Sequence, residues 1–594
     1  MKKLFDPLFS PEKLVEWRFA LFDLLRDPGG ADCRQTVFDY ASRMQQGFSP
    51  DILGEDCYSM VRDCARALRG MCTERAEELS GFSVAEALCD IARGRPRADL
   101  SPAFCADVAH ILAGIERPYR IEPVAKPDST PGLAGRAASV ARSSELDFIW
   151  RWASGWMERY PDGLAGEAVA IRGRNRRRIL GLLGGSARDW RNWEWHTARL
   201  ITTPETFAAV CEPSVEELEA VRAACSAGVP FGVTPYYASL MSGSLPGGDA
   251  SIRAQVIPGP EFVEAVARGR SSVESRADFM LERETSPIDL VTRRYPAIVI
   301  LKPFNTCPQI CAYCQRNWEI DGPMSPGAMA SRKRIENALE WIRAHDAIRE
   351  VLVTGGDPLA MEDREIEWLL GRLAAIPHVE LVRIGTRIPV TLPMRITPGL
   401  VSILSRFRRP GVRELLLVTH VQHPSEVTPE MVRAVARICS RGISVYNQMV
   451  FTFFVSRRFE AARLRMLLRR IGVDPYYTFV PKGKEETAAF RVPLARILQE
   501  QKEEARLLPG SRRTDSPVFN VPGLGKSYLR GAQHRDLLSI MPDGSRVYEF
   551  HPWERNISRQ KSWVGGDVPI LGYLERLAAI GEDPADYSSI WYYF

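Results

Sequence analysis

Two patterns divide the chain. Up to about residue 185, apolar positions recur at helical spacing, as in VEWRFALFDLLRD and SVAEALCDIARG. Pro and Gly interrupt them at PRADLSP and at KPDSTPGLAG, and the second reads as a surface loop or linker. From about Asp189 the stretch DWRNWEWH opens a further helical region that runs to about residue 285. Then β-rich runs begin: AIVILK (297–302), EVLVT (350–354), VELVRIG (379–385), ELLLVTH (414–420), ISVYNQMV (443–450) and YYTFV (476–480). Helical patterns such as RIENALEWIRAH, EIEWLLGRLAAI and PEMVRAVARICS lie between most of them. After a long first connection the strands recur about every 30 residues, the spacing of βαβ units on a parallel sheet. Six such units predict an α/β fold, an open or partial (β/α)6 barrel rather than a closed eight-fold one. Chemistry in such folds sits at the carboxyl ends of the strands. The expected organisation is a helical extension (1–185), a helical region (186–290), the barrel core (291–485) and a C-terminal region (486–594).

Composition narrows the class. The 594 residues are 45% hydrophobic and 25% charged, ordinary for a globular chain and unlike a disordered polymer or a disulfide-stapled miniprotein. The 78 Lys and Arg exceed the 73 Asp and Glu by only five, which gives no argument for a nucleic-acid partner. The run Arg172, Arg174, Arg176, Arg177, Arg178 reads as a solvated face rather than a phosphate site. The opening MKKLFDPLFSPEK has no apolar stretch behind its lysines, and no run of about 18 apolar residues occurs. The expectation is a cytoplasmic protein with no membrane span and reduced thiols. Cys33, Cys57, Cys64, Cys72, Cys89, Cys105, Cys211, Cys225 and Cys439 are then expected to be simple buried thiols.

The remaining cysteines form a motif. The first barrel strand runs into NTCPQICAYCQR, where Cys307, Cys311 and Cys314 have the spacing CxxxCxxC. Three converging thiolates hold a soft metal, either zinc or an iron–sulfur cluster. Zinc would need a fourth ligand, and no His stands close by in sequence. Three ligands on a four-iron cluster leave one iron open for catalysis. The second strand ends in TGGDPL, where Gly355 and Gly356 permit close backbone approach and Asp357 can accept from an ammonium.

Cys307, Cys311 and Cys314 after the first strand resemble the cluster motif of the radical S-adenosylmethionine (SAM) superfamily. In that family the open iron is chelated by SAM. The segments DWRNWEW, TPYYASL, RRYP, TGGDPL, RIGTRIPV, RITPGL, VTHVQHPSE, YNQMV and VPGLGK narrow the resemblance to the lysine 2,3-aminomutase family, over roughly residues 189–555. The resemblance implies that Tyr313, Gly355, Gly356, Asp357, His420 and Gln448 line the SAM site. It also implies pyridoxal phosphate (PLP), with Lys526 of FNVPGLGKSYL as its Schiff-base lysine and Arg294 and Tyr295 at its phosphate and ring. The glycine run before Lys526 is one residue shorter than is usual in the family, and Ile298 replaces an Arg of the lysine enzymes.

Arg316 matches the family's clamp for the substrate α-carboxylate. At the distal end, lysine-acting members hold the ε-ammonium with two aspartates, and the matching positions here are Lys482 and Asn520. A cation and an amide in place of two anions suit an acidic side chain, and the resemblance is closest to glutamate 2,3-aminomutase. The implied reaction is conversion of L-glutamate to 3-aminoglutarate (β-glutamate), with a flavodoxin or ferredoxin type reductant and a homo-oligomeric assembly. The alternatives are another α-amino acid substrate, lysine above all, or modification of a lysyl group on a protein.

Overall fold

In the computed structural model, which describes residues 9–27, 32–119, 132–244, 248–271, 280, 282–314, 316, 319–481, 485–551 and 561–594, nine strands form one sheet in chain order. They are β1 (Val291–Thr292), β2 (Ile298–Phe304), β3 (Glu350–Gly355), β4 (Leu381–Gly385), β5 (Glu414–Thr419), β6 (Ser444–Val450), β7 (Val473–Phe479), β8 (Ser516–Val521) and β9 (Gly525–Tyr528). Strands β2 to β8 are parallel to their neighbours, while β1 and β9 pair antiparallel at the two edges. Each of the six predicted runs overlaps one of these strands, β2 to β7.

The alternation in the strands separates two faces. Val299, Leu301, Val351, Val353, Val382 and Ile384 are buried, against helices such as Arg332–Arg343. That helix is capped by Ser331, whose side chain accepts from the Arg334 amide, and its Ile335, Ala338, Leu339 and Ile342 fall on one face. Most alternate strand positions are only half-buried, and polar side chains such as Lys302, Arg383, Gln448 and Tyr477 stand among them. This less covered face carries the chemistry.

The parallel alternation does not stop at residue 485. The helix Leu494–Ala505 and strand β8 add a seventh parallel strand, and β9 returns as a hairpin. The six predicted units are thus β2 to β7, as a partial (β/α)6 core requires, and β8 with β9 extends the same sheet beyond them. The helix hides its nature: Arg496, Glu500, Glu503 and Glu504 read as a solvated face, yet all four are buried in ion pairs.

The helices Glu55–Met71, Glu74–Ser80 and Pro102–Glu116 pack against a second, three-stranded sheet, β10 (Arg535–Ile540), β11 (Arg546–Phe550) and β12 (Trp563–Gly566). Asp107 and Arg546 are buried and share two hydrogen bonds of 2.7 and 2.8 Å. Arg75 makes a similar fork with Glu549, at 2.5 and 2.6 Å. The aromatic tail ends in this region, with Trp591 stacked on His110 at 4.2 Å between ring centroids.

Two expectations need correction. Cys33 and Cys89 form a disulfide between the helices Cys33–Gln46 and Val84–Ala92, with Cα atoms 6.0 Å apart, rather than standing as reduced buried thiols. Proximity of two helices, invisible in sequence, brings them together. Cys64, Cys72, Cys105 and Cys211 are buried as expected, whereas Cys225 is exposed and Cys57 and Cys439 are half-buried. In the arginine run, Arg172 pairs with Glu430 at 2.6 Å and Arg178 donates to the carbonyls of Ala209 and Val210. No described helix is long and apolar enough to cross a membrane.

Candidate active site

The site begins where β2 ends. The loop carrying Cys307, Cys311 and Cys314 is held from outside: the Ile310 amide donates to Gly232 O (2.9 Å), Ala312 to Gln255 O (2.8 Å), and Met324 to Cys307 O (3.0 Å). All three cysteines face a cavity walled mainly by apolar groups such as Val229, Val256 and Phe262, with Gln309 as a polar exception. Among the described residues these sulfurs do not all come within 4.8 Å of one another, a spacing met only by Asp536, Glu549 and His551 on the outer sheet.

The end of β3 is stitched to this loop. The Gly356 amide donates to Phe304 O (2.8 Å) and the Asp357 amide to Thr306 O (2.9 Å). Gly355 has φ +115°, and a Cβ at Gly356 would run into the Thr306 backbone. The close approach expected of these glycines is made to the cysteine loop itself. Asp357 is also committed: its carboxylate accepts from the Thr386 hydroxyl (2.6 Å) and from the amides of Arg387 (2.7 Å) and Leu359 (3.2 Å). It ties the end of β3 to the turn after β4. Burial still pushes its pKa up to about 6.

That turn presents Arg387, which the motif RIGTRIPV contains but which sequence reasoning did not single out. Its Nη1 donates to Cys311 Sγ (2.9 Å), its Nη2 to Glu426 (2.8 Å) and Gln255, and its Nε to the His420 carbonyl (3.2 Å). The partners come from residues 255, 311, 420 and 426, so no local signal could have shown the cluster. Gln255 also accepts from Tyr313 Oη at 3.1 Å, which places Tyr313 in the same network. Desolvation holds His420 at a pKa of about 4, so its imidazole is neutral. Gln448 lies in register with Tyr477 on the half-buried face.

A second group of predicted residues meets at the β8–β9 hairpin. Asn520 and Lys526 are directly paired across it. Lys526 Nζ donates to Tyr295 Oη at 3.4 Å and lies 5.0 and 5.5 Å from the ring centroids of Tyr295 and Tyr477. Arg294, beside Tyr295 in the chain, is half-buried, and Ile298 opens β2. Arg316 is buried near the cysteine loop, where its Nη1 contacts Glu282 (3.0 Å) and Glu319 (3.2 Å), and Lys302 completes this buried ionic group. Lys482 lies outside the described residues, as does the neighbouring Lys484.

The radical SAM superfamily model matches residues 301–453, the segment with the cysteine loop, TGGDPL and Arg387. An uncharacterized KamA family protein of Methanocaldococcus jannaschii is 41% identical over 542 residues, covering 87% of this chain and 86% of that one. The chain belongs to the KamA family. It is thus a radical SAM enzyme, and the family implies a [4Fe–4S] cluster and SAM. The KamA relatives include the glutamate 2,3-aminomutase of Clostridioides difficile, 31% identical over 402 residues, with 67% of this chain and 89% of that one covered. They also include the L-lysine 2,3-aminomutase of Acetoanaerobium sticklandii, 33% identical over 315 residues, with 53% and 72% covered. The apolar, three-thiol cavity fits the cluster that the family implies.

Proposed function

We propose that this KamA family member is a PLP-dependent 2,3-aminomutase acting on L-glutamate and yielding 3-aminoglutarate. The observation that carries the reading is the direct pairing of Asn520 with Lys526 at the hairpin, an amide where the family resemblance puts an aspartate in lysine-acting members. The longer match to glutamate 2,3-aminomutase, 67% of this chain against 53% for the lysine enzyme, supports it.

When bound, the cluster and SAM supply a carbon radical, and PLP supplies an aldehyde for the migrating amine and a conjugated ring to spread the unpaired electron. The chain does the rest. Cys307, Cys311 and Cys314 would hold the cluster, and Arg387 fixes Cys311 by a charge-assisted bond. Lys526 would carry PLP, with the Tyr295 phenol holding the amine in place. The rings of Tyr295 and Tyr477 lie beside the half-buried Lys526 amine. Arg316 would take the α-carboxylate, its guanidinium held in place by Glu282 and Glu319. Asn520 would donate to the distal carboxylate, which an aspartate there would repel. Electrons would come from a flavodoxin- or ferredoxin-type protein.

Anaerobic turnover with SAM, PLP and dithionite tests the proposal. Glutamate is expected to give 3-aminoglutarate with kcat/KM far above that for lysine. A preference for lysine would overturn the substrate. Lys526→Ala is expected to abolish PLP absorbance and leave iron content intact; retained absorbance would remove Lys526 from its role.

A further inference from the structure

A second cavity, of about 530 Å³, lies away from the cysteine loop and has the size of a small-molecule site. Three stretches that the reaction does not use form it: the helix Glu55–Met71, the end of helix Leu494–Ala505 with the turn beyond it, and the segment after β9. The tail Tyr592–Phe594 completes the wall. Strand direction fixes its place. Because β8 is parallel to β7, Ser516 marks the amino end of the sheet, and the Leu529 amide returns there to donate to Pro517 O at 3.0 Å. Arg530 and Arg535 therefore follow at the end of the hairpin away from Asn520 and Lys526.

The lining is strongly cationic. Arg66, Lys502, Arg506, Arg513, Arg530 and Arg535 face the cavity, against one lining carboxylate, Asp63, among the described residues. Asp63 is itself taken by Arg62 at 3.0 Å and Arg66 at 3.5 Å. Arg535 is the deepest cation, 7% exposed. Its Nη1 and Nη2 donate to main-chain oxygens of Leu529 and Phe594, while its buried Nε has no hydrogen-bond partner among the described residues. Burial lowers the pKa of Arg535, and the nearby charge of Arg66 pushes the same way. Six cations around one cavity, with the one lining carboxylate already paired, are a setting that an anion with several acceptor oxygens satisfies. Met60, Leu498 and the rings of Tyr592, Tyr593 and Phe594 supply an apolar wall beside the charges.

The geometry points to a binding site for a phosphorylated small molecule of nucleotide size, its phosphates on the arginine cluster and its ring against the aromatic tail. The site is separate from those of SAM, PLP and substrate.

Isothermal titration of the holoenzyme, with PLP and SAM saturating so that their own sites are filled, tests it with ADP and with inorganic pyrophosphate. ADP is expected to bind one site per chain, more weakly as salt rises. Lys502→Gln with Arg506→Gln is expected to weaken it by about tenfold or more, each side chain giving up a charge-assisted contact. Both residues are solvent-exposed, so the melting temperature should hold; Arg66→Gln is a second, equally exposed variant. Tighter binding of ADP than of pyrophosphate would assign part of the site to the rings, and equal affinity would assign it to phosphate chemistry alone. Absence of saturable binding by both probes at millimolar concentration, or binding indifferent to these substitutions, would overturn the proposal.

Discussion

Arg387 joins the cluster loop to the rest of the site by one side chain. Only a planar guanidinium can reach Cys311 Sγ, Glu426, Gln255 and the His420 carbonyl together. Arg387→Lys keeps the charge and loses the fork. Losing a charge-assisted bond of about 1.5–3 kcal/mol is expected to slow reductive SAM cleavage by roughly 10- to 100-fold. The electron paramagnetic resonance signal of the reduced cluster should shift as well, and an unchanged signal would make Arg387 a merely structural residue. Asn520 is the position on which the proposed substrate rests. Asn520→Asp puts an anion beside Lys526 and is expected to lower kcat/KM for glutamate at least tenfold while raising that for lysine. Competition between the two amino acids in one reaction reads both changes. The types and spacing of Cys307, Cys311, Cys314 and Lys526 were legible in sequence because each sits in a short motif. Arg387 was not, because its partners are scattered over 170 positions, from residue 255 to residue 426.

The cysteine loop and the end of β3 behave as one piece. Gly356 lies against the backbone of Thr306, which cannot yield as a flexible side chain would. Gly356→Ala is expected to displace the loop, at a cost of about 1–3 kcal/mol for overpacking, and to lower bound iron well below four per chain. Iron analysis together with a melting curve checks this; full iron at an unchanged melting temperature would mean that the contact relaxes freely. The same stretch shows why strands were easy to read here. Runs such as AIVILK and ELLLVTH bury one face against amphipathic helices, so pattern and burial agree. Strand β8 escaped because Pro517 and Pro522 punctuate SPVFNVP, and because LARILQEQKEEA carries its buried face in charged residues. Its Arg496 meets Glu500, its Glu503 meets Arg458, and its Glu504 meets Arg465. A hydrophobicity pattern cannot register burial that is compensated by ion pairs.

The helices Glu55–Met71, Glu74–Ser80 and Pro102–Glu116 are bound to the C-terminal sheet, and the last of them to the aromatic tail, so these remote stretches should unfold together. Asp107→Ala leaves Arg546 buried without its carboxylate and is expected to cost about 3–5 kcal/mol in urea denaturation. His110 adds a pH dependence. Burial holds its pKa at about 4 against the ordinary 6.5, with Nδ1 2.7 Å from Ala106 O. Between those values the unfolded chain binds the extra proton, so stability is full above pH 6.5 and declines as pH falls toward 4. The loss at pH 5 is about 2 kcal/mol relative to neutral pH. His110→Gln should flatten the stability profile over this window, and an unaltered slope would show that other groups set it. The sequence alone determined the parallel βα alternation and singled out Cys307, Cys311, Cys314 and Lys526 as candidates, because periodicity and short motifs are local properties of the chain. Tertiary structure decided the seventh strand, the Cys33–Cys89 bond, the Arg387 network and the cationic cavity. Each of these is a meeting of residues far apart in sequence, and only packing brings their charges and thiols within reach.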